Sequence, residues 1–174
     1  RAAAELVDRL GRLDLLHHDD AALHLTADGR REALRVIRIH RLWERYLADE
    51  TGLDAREWHA HAERREHGTS AQQAAALAAT LGHPRFDPHG DPIPMASGEI
   101  PPHQGIPLTQ LTGDMAAEIV HVQDEPEAVF AQIVALGLVP GMRVRLLDRT
   151  PHRLRIQAET EEVVLAPVVA ANIT

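Results

Sequence analysis

Residues 40–67 read HRLWERYLADETGLDAREWHAHAERREH and hold two groups of histidines and carboxylates. The first group is His40 with Glu44, and the second is His59 with Glu63, Glu66 and His67. At about 3.6 residues per turn, the members of each group lie on one face of a helix. Imidazole and carboxylate groups coordinate divalent cations. The stretch therefore predicts one or two divalent-metal sites built between two helices.

Two plainer interpretations compete with a metal site. His40 and Glu44 could form an ordinary surface pair, which stabilises a helix by about 0.2–0.5 kcal/mol. The acids of the second group could belong to a solvated face with Arg64 and Arg65 as their partners. Helical spacing directs both arginines to other sides of the helix. Metal binding is therefore the favoured prediction.

The composition is that of a globular, acidic chain. It has 174 residues, 44% of them hydrophobic, and a net charge of −8 with its histidines neutral. The acidic balance argues against strong non-specific DNA binding, and it suits a cation binder because metal ligands count as negative charge. The chain contains no cysteine, which excludes disulfides and thiolate sites and fits a cytoplasmic location. No apolar run approaches the roughly 18 residues of a membrane span, and no signal peptide is visible.

The N-terminal half predicts helices around one short hairpin. The predicted helices cover residues 1–13, 27–49, 55–67 and 71–81, and the hairpin covers 15–26 around Asp19 and Asp20. A helix, a hairpin and a long helix in this order form the back half of a winged helix. Because the sequence begins inside the first helix without an initiator Met, we expect a fragment of a longer domain.

The C-terminal half predicts a small β domain behind a proline-rich linker. Residues 82–107 hold seven of the eleven prolines, which excludes a regular helix or central strand. The predicted strands cover 117–123, 142–149, 153–159, 162–165 and 168–173, and one helix covers 126–136. Short strands at this density indicate an SH3-like barrel. The predicted fold class is therefore α+β, with a winged-helix remnant, an all-α metal-binding part and a small SH3-like β-barrel.

Three motifs in this order resemble the diphtheria-toxin-repressor family of iron- and manganese-dependent transcriptional repressors. They are His40-Arg41-Leu42-x-Glu44, the Glu66-His67 pair, and Pro88-His89-Gly90-Asp91-Pro92-Ile93-Pro94. The run Leu136-Gly137-Leu138-Val139-Pro140-Gly141 is similar to the FeoA-type domain of such proteins. The resemblance runs end to end. It implies a partial winged-helix DNA-binding domain (1–26), a helical metal-binding and dimerisation domain (27–81), a linker (82–107) and an SH3-like domain (108–174).

The resemblance also implies how the ligands divide. An ancillary site would take His40, Glu44 and His59, and a primary site would take Glu63, Glu66 and His67 with ligands from a preceding helix. The metal would be Mn(II) or Fe(II), and Glu63, where iron-type members often carry Cys, favours Mn(II). Some members donate further ligands from the SH3-like domain. Pro126 and Val129 stand at those positions here, which leaves Asp124 and Glu127 as candidates.

The function implied is that of a homodimeric repressor of metal-uptake genes. With a complete winged helix it would bind a palindromic operator. Arg41 would either bind an anion beside the ancillary site or be an ordinary surface arginine. An enzyme is not expected, since the sequence lacks a His-Glu-x-x-His motif, a phosphate-binding loop and a Gly-x-Ser-x-Gly motif. The alternative is a cytosolic metal-sensing domain fused to a metal-transporter permease. In that case the present segment would itself have no contact with the membrane.

Overall fold

The computed structural model describes residues 2–19, 22–102, 105–113 and 116–174. Helix α1 covers Ala2–Arg12 and leads into an antiparallel hairpin of β1 (Leu16–His18) and β2 (Leu23–Leu25). The predicted helix and hairpin are therefore confirmed, although Asp20 at the predicted hairpin tip lies outside the described residues. Within the described ranges, no helix is both long and apolar enough to cross a membrane.

Three helices with side-chain caps follow the hairpin. They are α2 (Ala27–Glu50), α3 (Ala55–Glu66) and α4 (Ala71–Thr80). Thr26, Asp54 and Ser70 each accept a backbone N–H at the start of one helix, as capping residues do. The helices begin where the sequence predicts because these signals are local. The core of this part consists of Ile39, Leu42, Ala74, Ala78 and Ile93.

The C-terminal part is an antiparallel sheet packed against a helix. The strands are β3 (Ala117–Glu118), β4 (Arg143–Thr150), β5 (Arg153–Ala158) and β6 (Glu161–Leu165), in that spatial order. Helix α5 (Glu127–Ala135) buries Phe130 and Ile133 in the core of this part. This is the small SH3-like fold that the sequence predicts.

One predicted strand is wrong. Residues 167–170 form the short helix α6 (Pro167–Ala170), where a strand over 168–173 was expected. Pro167 occupies the first turn, where its fixed φ suits a helix and its missing N–H costs nothing. After α6, Ile173 forms an isolated bridge to Val122, and Thr174 exchanges backbone hydrogen bonds with His121. The strand predicted over 117–123 is shorter in the structure, where β3 covers only Ala117–Glu118.

The proline-rich segment is buried where it joins the two parts. It runs through turns and isolated bridges, as its prolines predict, but Asp87 and His89 are each only 4% exposed and Ile93 is 1% exposed. The predicted linker is therefore buried at these three residues. The segment contributes Ile93 to the core of the helical part and places Asp87 and His89 beside the candidate site.

Candidate metal centre

A cleft of about 400 Å³ opens between α2, α3 and the start of the C-terminal part. Its polar lining contains five of the six predicted ligands, namely His40, Glu44, His59, Glu63 and Glu66, together with Asp87, Asp91 and Asp124. The sixth, His67, caps the C-terminus of α3. The cleft thus brings carboxylates and imidazoles from two helices and two loops onto one space.

The structure places His40, Glu44 and His59 together. His40 Nε2 lies 3.0 Å from Glu44 Oε1 and 3.2 Å from His59 Nδ1. His59 Nδ1 is 3.4 Å from the same carboxylate oxygen. One turn of α2 supplies the first two side chains, and the packing of α3 on α2 supplies the third. Separations of 3.0, 3.2 and 3.4 Å between the ligand atoms fit one cation with bonds of about 2.0–2.3 Å.

A second group shares Glu44 and was not predicted as a set. It comprises Glu44, His89 and Asp124, with ligand atoms within 4.8 Å of one another. The two groups use opposite oxygens of one carboxylate, since Oε1 faces His40 while Oε2 lies 3.9 Å from His89 Nδ1. Asp124 also approaches the first group, with Oδ2 3.8 Å from His59 Nδ1. Glu127, the other candidate from this region, is exposed at the start of α5.

His89 is the residue that the sequence interpretation missed. Its ring lies between Trp58 of α3 and Phe130 of α5, at centroid distances of 5.7 and 5.3 Å. Neither ring nitrogen has a hydrogen-bond partner among the residues that the structure describes. Leaving a buried polar group unpaired costs about 1–3 kcal/mol, and a cation beside Glu44 would remove that cost. The donor set therefore fits a divalent metal.

The remaining predicted ligands lie on the other side of His40. Glu66 Oε2 is 2.6 Å from His40 Nδ1, so one imidazole contacts both carboxylates. His67 is 76% exposed, and its Nε2 lies 3.3 Å from Glu66 Oε1. Glu63 is exposed and lines the cleft. The structure therefore joins the two predicted ligand sets through His40, where the resemblance implies two separate sites.

Electrostatics favour a charged carboxylate at the centre. Burial opposes ionisation of Glu44, but hydrogen bonds from His40 and His59 lower its pKa to about 2. Burial likewise opposes protonation of His40, but Glu44 and Glu66 raise its pKa to about 9. A hydrogen bond to Glu44 raises the pKa of His59. Burial lowers the pKa of His89, which keeps that imidazole in the neutral form that coordinates metals.

Arg41 is bound to the chain's own carboxylates. Its Nη2 donates to Asp91 Oδ1 at 2.9 Å, its Nη1 donates to the Pro92 carbonyl at 2.6 Å, and its Nε is 3.7 Å from Asp87 Oδ2. Arg41 is therefore not an ordinary surface arginine, and an anion beside it would have to compete with these carboxylates. Burial, together with the charges of Glu44 and Asp91, raises the pKa of Asp87 to about 8.

Comparison with known proteins gives a consistent result. An iron-dependent-repressor metal-binding and dimerisation domain matches residues 26–95, and a FeoA domain matches residues 106–174. The iron-dependent repressor IdeR of Mycobacterium tuberculosis is 35% identical over 162 residues, which cover 85% of this chain and 70% of that protein. A solved manganese-dependent transcriptional repressor in complex with manganese is similar with a TM-score of 0.86 at 31% identity, over 99% of this chain and 82% of that one.

A shorter match points to a different context. A stretch of 70 residues is 37% identical to a probable metal transport system membrane protein of Chlamydia trachomatis serovar D. It covers 40% of this chain and 16% of that protein.

Proposed function

The chain belongs to the family of iron-dependent repressors, and from that premise we propose that it is a metal-responsive transcriptional repressor rather than an enzyme. Its effector is Mn(II) or Fe(II), bound in the cleft between α2, α3 and the FeoA-type domain. The observation that carries this proposal is the convergence of two ligand groups on the buried, ionised carboxylate of Glu44. A buried carboxylate facing two ligand groups suits a cation that neutralises it.

The ligand assignment follows the contacts in the cleft. His40, Glu44 and His59 hold one cation, and the group extends through Glu44 to His89 and Asp124. Glu63, Glu66 and His67 are the proposed ligands of a further site, the primary one. A bound cation supplies positive charge and links α2, α3 and the FeoA-type domain. Oxygen ligands such as Glu63 favour Mn(II) over softer metals.

The proposal extends to domains, partners and location. Residues 1–26 are the winged-helix part, 27–81 the metal-binding and dimerisation domain, 82–107 the connecting segment and 108–174 the FeoA-type domain. The protein acts in the cytoplasm as a homodimer on a palindromic operator and controls metal-uptake genes. Metal shifts the population toward the DNA-competent arrangement, because it binds that arrangement more tightly.

The test uses the full-length protein with and without Mn(II). Sheared genomic DNA retained only in the presence of Mn(II) is sequenced, and the enriched palindrome is then used for gel retardation. We expect retardation that depends on Mn(II) and is lost in Glu44→Gln. Glu32→Gln is the matched control, because Glu32 is an exposed acid on the same helix paired with Arg35. Metal binding at saturation without any DNA complex would refute the repressor function.

A second candidate function rests on the Chlamydia match. In this function, metal binding in the same cleft regulates a transporter, and the protein does not bind an operator. The DNA-retention experiment separates the two functions, because both require Mn(II) binding and only the repressor requires DNA.

A further inference from the structure

One turn of the proline-rich segment holds the two parts of the molecule together. The turn covers residues 87–92, and it is organised by Asp87, whose Oδ1 accepts the backbone N–H groups of His89 and Asp91 at 2.9 Å each. Arg41 fixes this turn to α2 through Asp91 and the Pro92 carbonyl. Side-chain hydrogen bonds therefore tie the turn to α2.

The same turn makes the contact with the FeoA-type domain. Val122 N–H donates to the His89 carbonyl at 2.8 Å, and His121 Nε2 lies 3.5 Å from Asp91 Oδ2. Gly90 has a φ of +92°, and a Cβ at that position would lie 2.0 Å from the Val120 carbonyl oxygen. The turn thus docks on residues 120–122 at a distance that only glycine allows.

These contacts also determine where two ligand candidates point. The ring of His89 leaves the turn toward Glu44, between Trp58 and Phe130. Asp124 reaches the cleft from the chain that follows the docked residues. The direction of His89 and the approach of Asp124 therefore depend on one joint, which is the contact between the 87–92 turn and residues 120–122.

We propose that Arg41 is a positioning residue that locks the 87–92 turn onto α2, thereby docking the FeoA-type domain and bringing His89 and Asp124 to Glu44. The docking role stands on the contacts alone, and the link to metal affinity rests on the proposed function. Removing the guanidinium removes the hydrogen bonds that tie Asp91 and the Pro92 carbonyl to α2. Loosening of the joint and weaker metal binding then follow from one change.

The first test measures docking in the metal-free, full-length protein. The amide of Val122 reports on the joint, because its hydrogen bond to the His89 carbonyl crosses between the two parts. In Arg41→Met we expect exchange of this amide, followed by NMR, to accelerate by about tenfold or more. Arg38→Met is the matched control, since Arg38 also reaches from α2 to the segment but binds the Pro94 carbonyl beyond the turn. Equal acceleration in the two variants would overturn the proposal.

A glycine pair tests the docking contact independently. Gly90 and Gly141 have φ values of +92° and +93°, so alanine strains both positions alike, but only at Gly90 does its Cβ meet a neighbour within 4 Å. We expect Gly90→Ala to accelerate exchange at Val122, and Gly141→Ala to leave it unchanged. Protection of the Ile156 amide, in the core strand β5, verifies that the FeoA-type domain is folded in each variant. An unchanged Val122 amide in Gly90→Ala overturns the proposal.

The final test adds Mn(II) to the same proteins. We expect Arg41→Met to bind Mn(II) about tenfold more weakly than Arg38→Met, and saturating Mn(II) to restore protection at Val122. A loosened joint with unchanged Mn(II) affinity would overturn the link between docking and metal. If none of the proteins binds Mn(II) while Arg41→Met still loosens the joint, the proposed function fails and the docking role of Arg41 stands.

Discussion

Raising the pH should strengthen Mn(II) binding steeply, because a proton on His40 competes with the metal. Glu44 and Glu66 raise the pKa of His40 to about 9, so the metal-free site holds an imidazolium at neutral pH. A metal needs the neutral ring. Two pH units below the pKa only about 1% of the ring is neutral, so apparent affinity at pH 7 is about 100-fold below its limit. Between pH 6.5 and 8.5 we expect a gain of about tenfold per pH unit.

Calorimetric titration with Mn(II) at pH 6.5, 7.5 and 8.5 measures this gain directly. Running each titration in two buffers of different ionisation enthalpy counts the protons released. At pH 7.5 we expect at least one proton per metal, from His40, while Glu44 contributes none because its pKa is about 2. An affinity that is flat with pH, or binding without proton release, would refute the assignment of His40 as a ligand.

The raised pKa of His40 also makes the metal-free protein less stable as the pH rises. The His40 pKa is raised from 6.5 to about 9 on folding, so its stabilisation is complete below pH 6.5 and is lost as the pH rises toward 9. The loss is at most roughly 3 kcal/mol in the free energy of unfolding. Asp87, with its pKa raised to about 8, adds a loss of the same sign. Urea unfolding at pH 6.5 and 9 should show lower stability at pH 9 with chelator, and saturating Mn(II) should remove the part of this loss that comes from His40, because the metal-bound site holds the neutral ring at both pH values.

Three substitutions test the ligands one by one. Glu44→Gln should weaken Mn(II) binding at least about 100-fold in calorimetry, because both ligand groups lose their shared charge. His89→Leu should weaken Mn(II) binding yet leave the metal-free protein equally stable or more stable by about 1–3 kcal/mol in urea, because it removes a buried, unpaired imidazole. Glu63→Cys should shift relative affinity in competition titrations from Mn(II) toward Fe(II), Co(II) or Zn(II), because thiolate is a softer ligand.

For each substitution, one result would contradict the expected effect. Glu32→Gln is the control for lost negative charge on α2, and an equal loss of affinity in it would show a general field effect in place of coordination. A large destabilisation of metal-free His89→Leu would show that the ring has a structural role. Unchanged metal preference in Glu63→Cys would mean that this exposed side chain does not reach the metal.

The elements that the sequence predicts well are those with local causes. The starts of α2, α3 and α4 follow from Thr26, Asp54 and Ser70, each of which caps the turn directly after it. The contact between His40 and Glu44 follows from one helical turn. The apolar run after Pro167 was misassigned because a short apolar run fits a buried strand and a buried helix equally well.

The other half of the candidate site depends on contacts between distant residues. His89 lies 45 positions after Glu44, and only the docking of the 87–92 turn brings its ring to that carboxylate. No helical or strand period connects the two positions. The nearest sequence signal was the histidine at the centre of the Pro88–Pro94 motif, where prolines suggest loop structure more strongly than they suggest a ligand. Asp124 is no more than a candidate from the sequence, because Pro126 and Val129 stand where some family members donate ligands.

Because Glu44 contacts both the helices and the 87–92 turn, a metal bound in this cleft would affect both. Its oxygens face ligands from different sources: Oε1 faces His40 and His59 on the helices, and Oε2 faces His89 on the docking turn. A cation bound on either side of Glu44 would therefore interact with a carboxylate that faces both α2 and the 87–92 turn, which Arg41 holds in place. A sensor needs a ligand that binds two arrangements unequally, since equal affinity shifts no population. A cation in this cleft meets that condition, because undocking the FeoA-type domain would remove Asp124 and redirect His89.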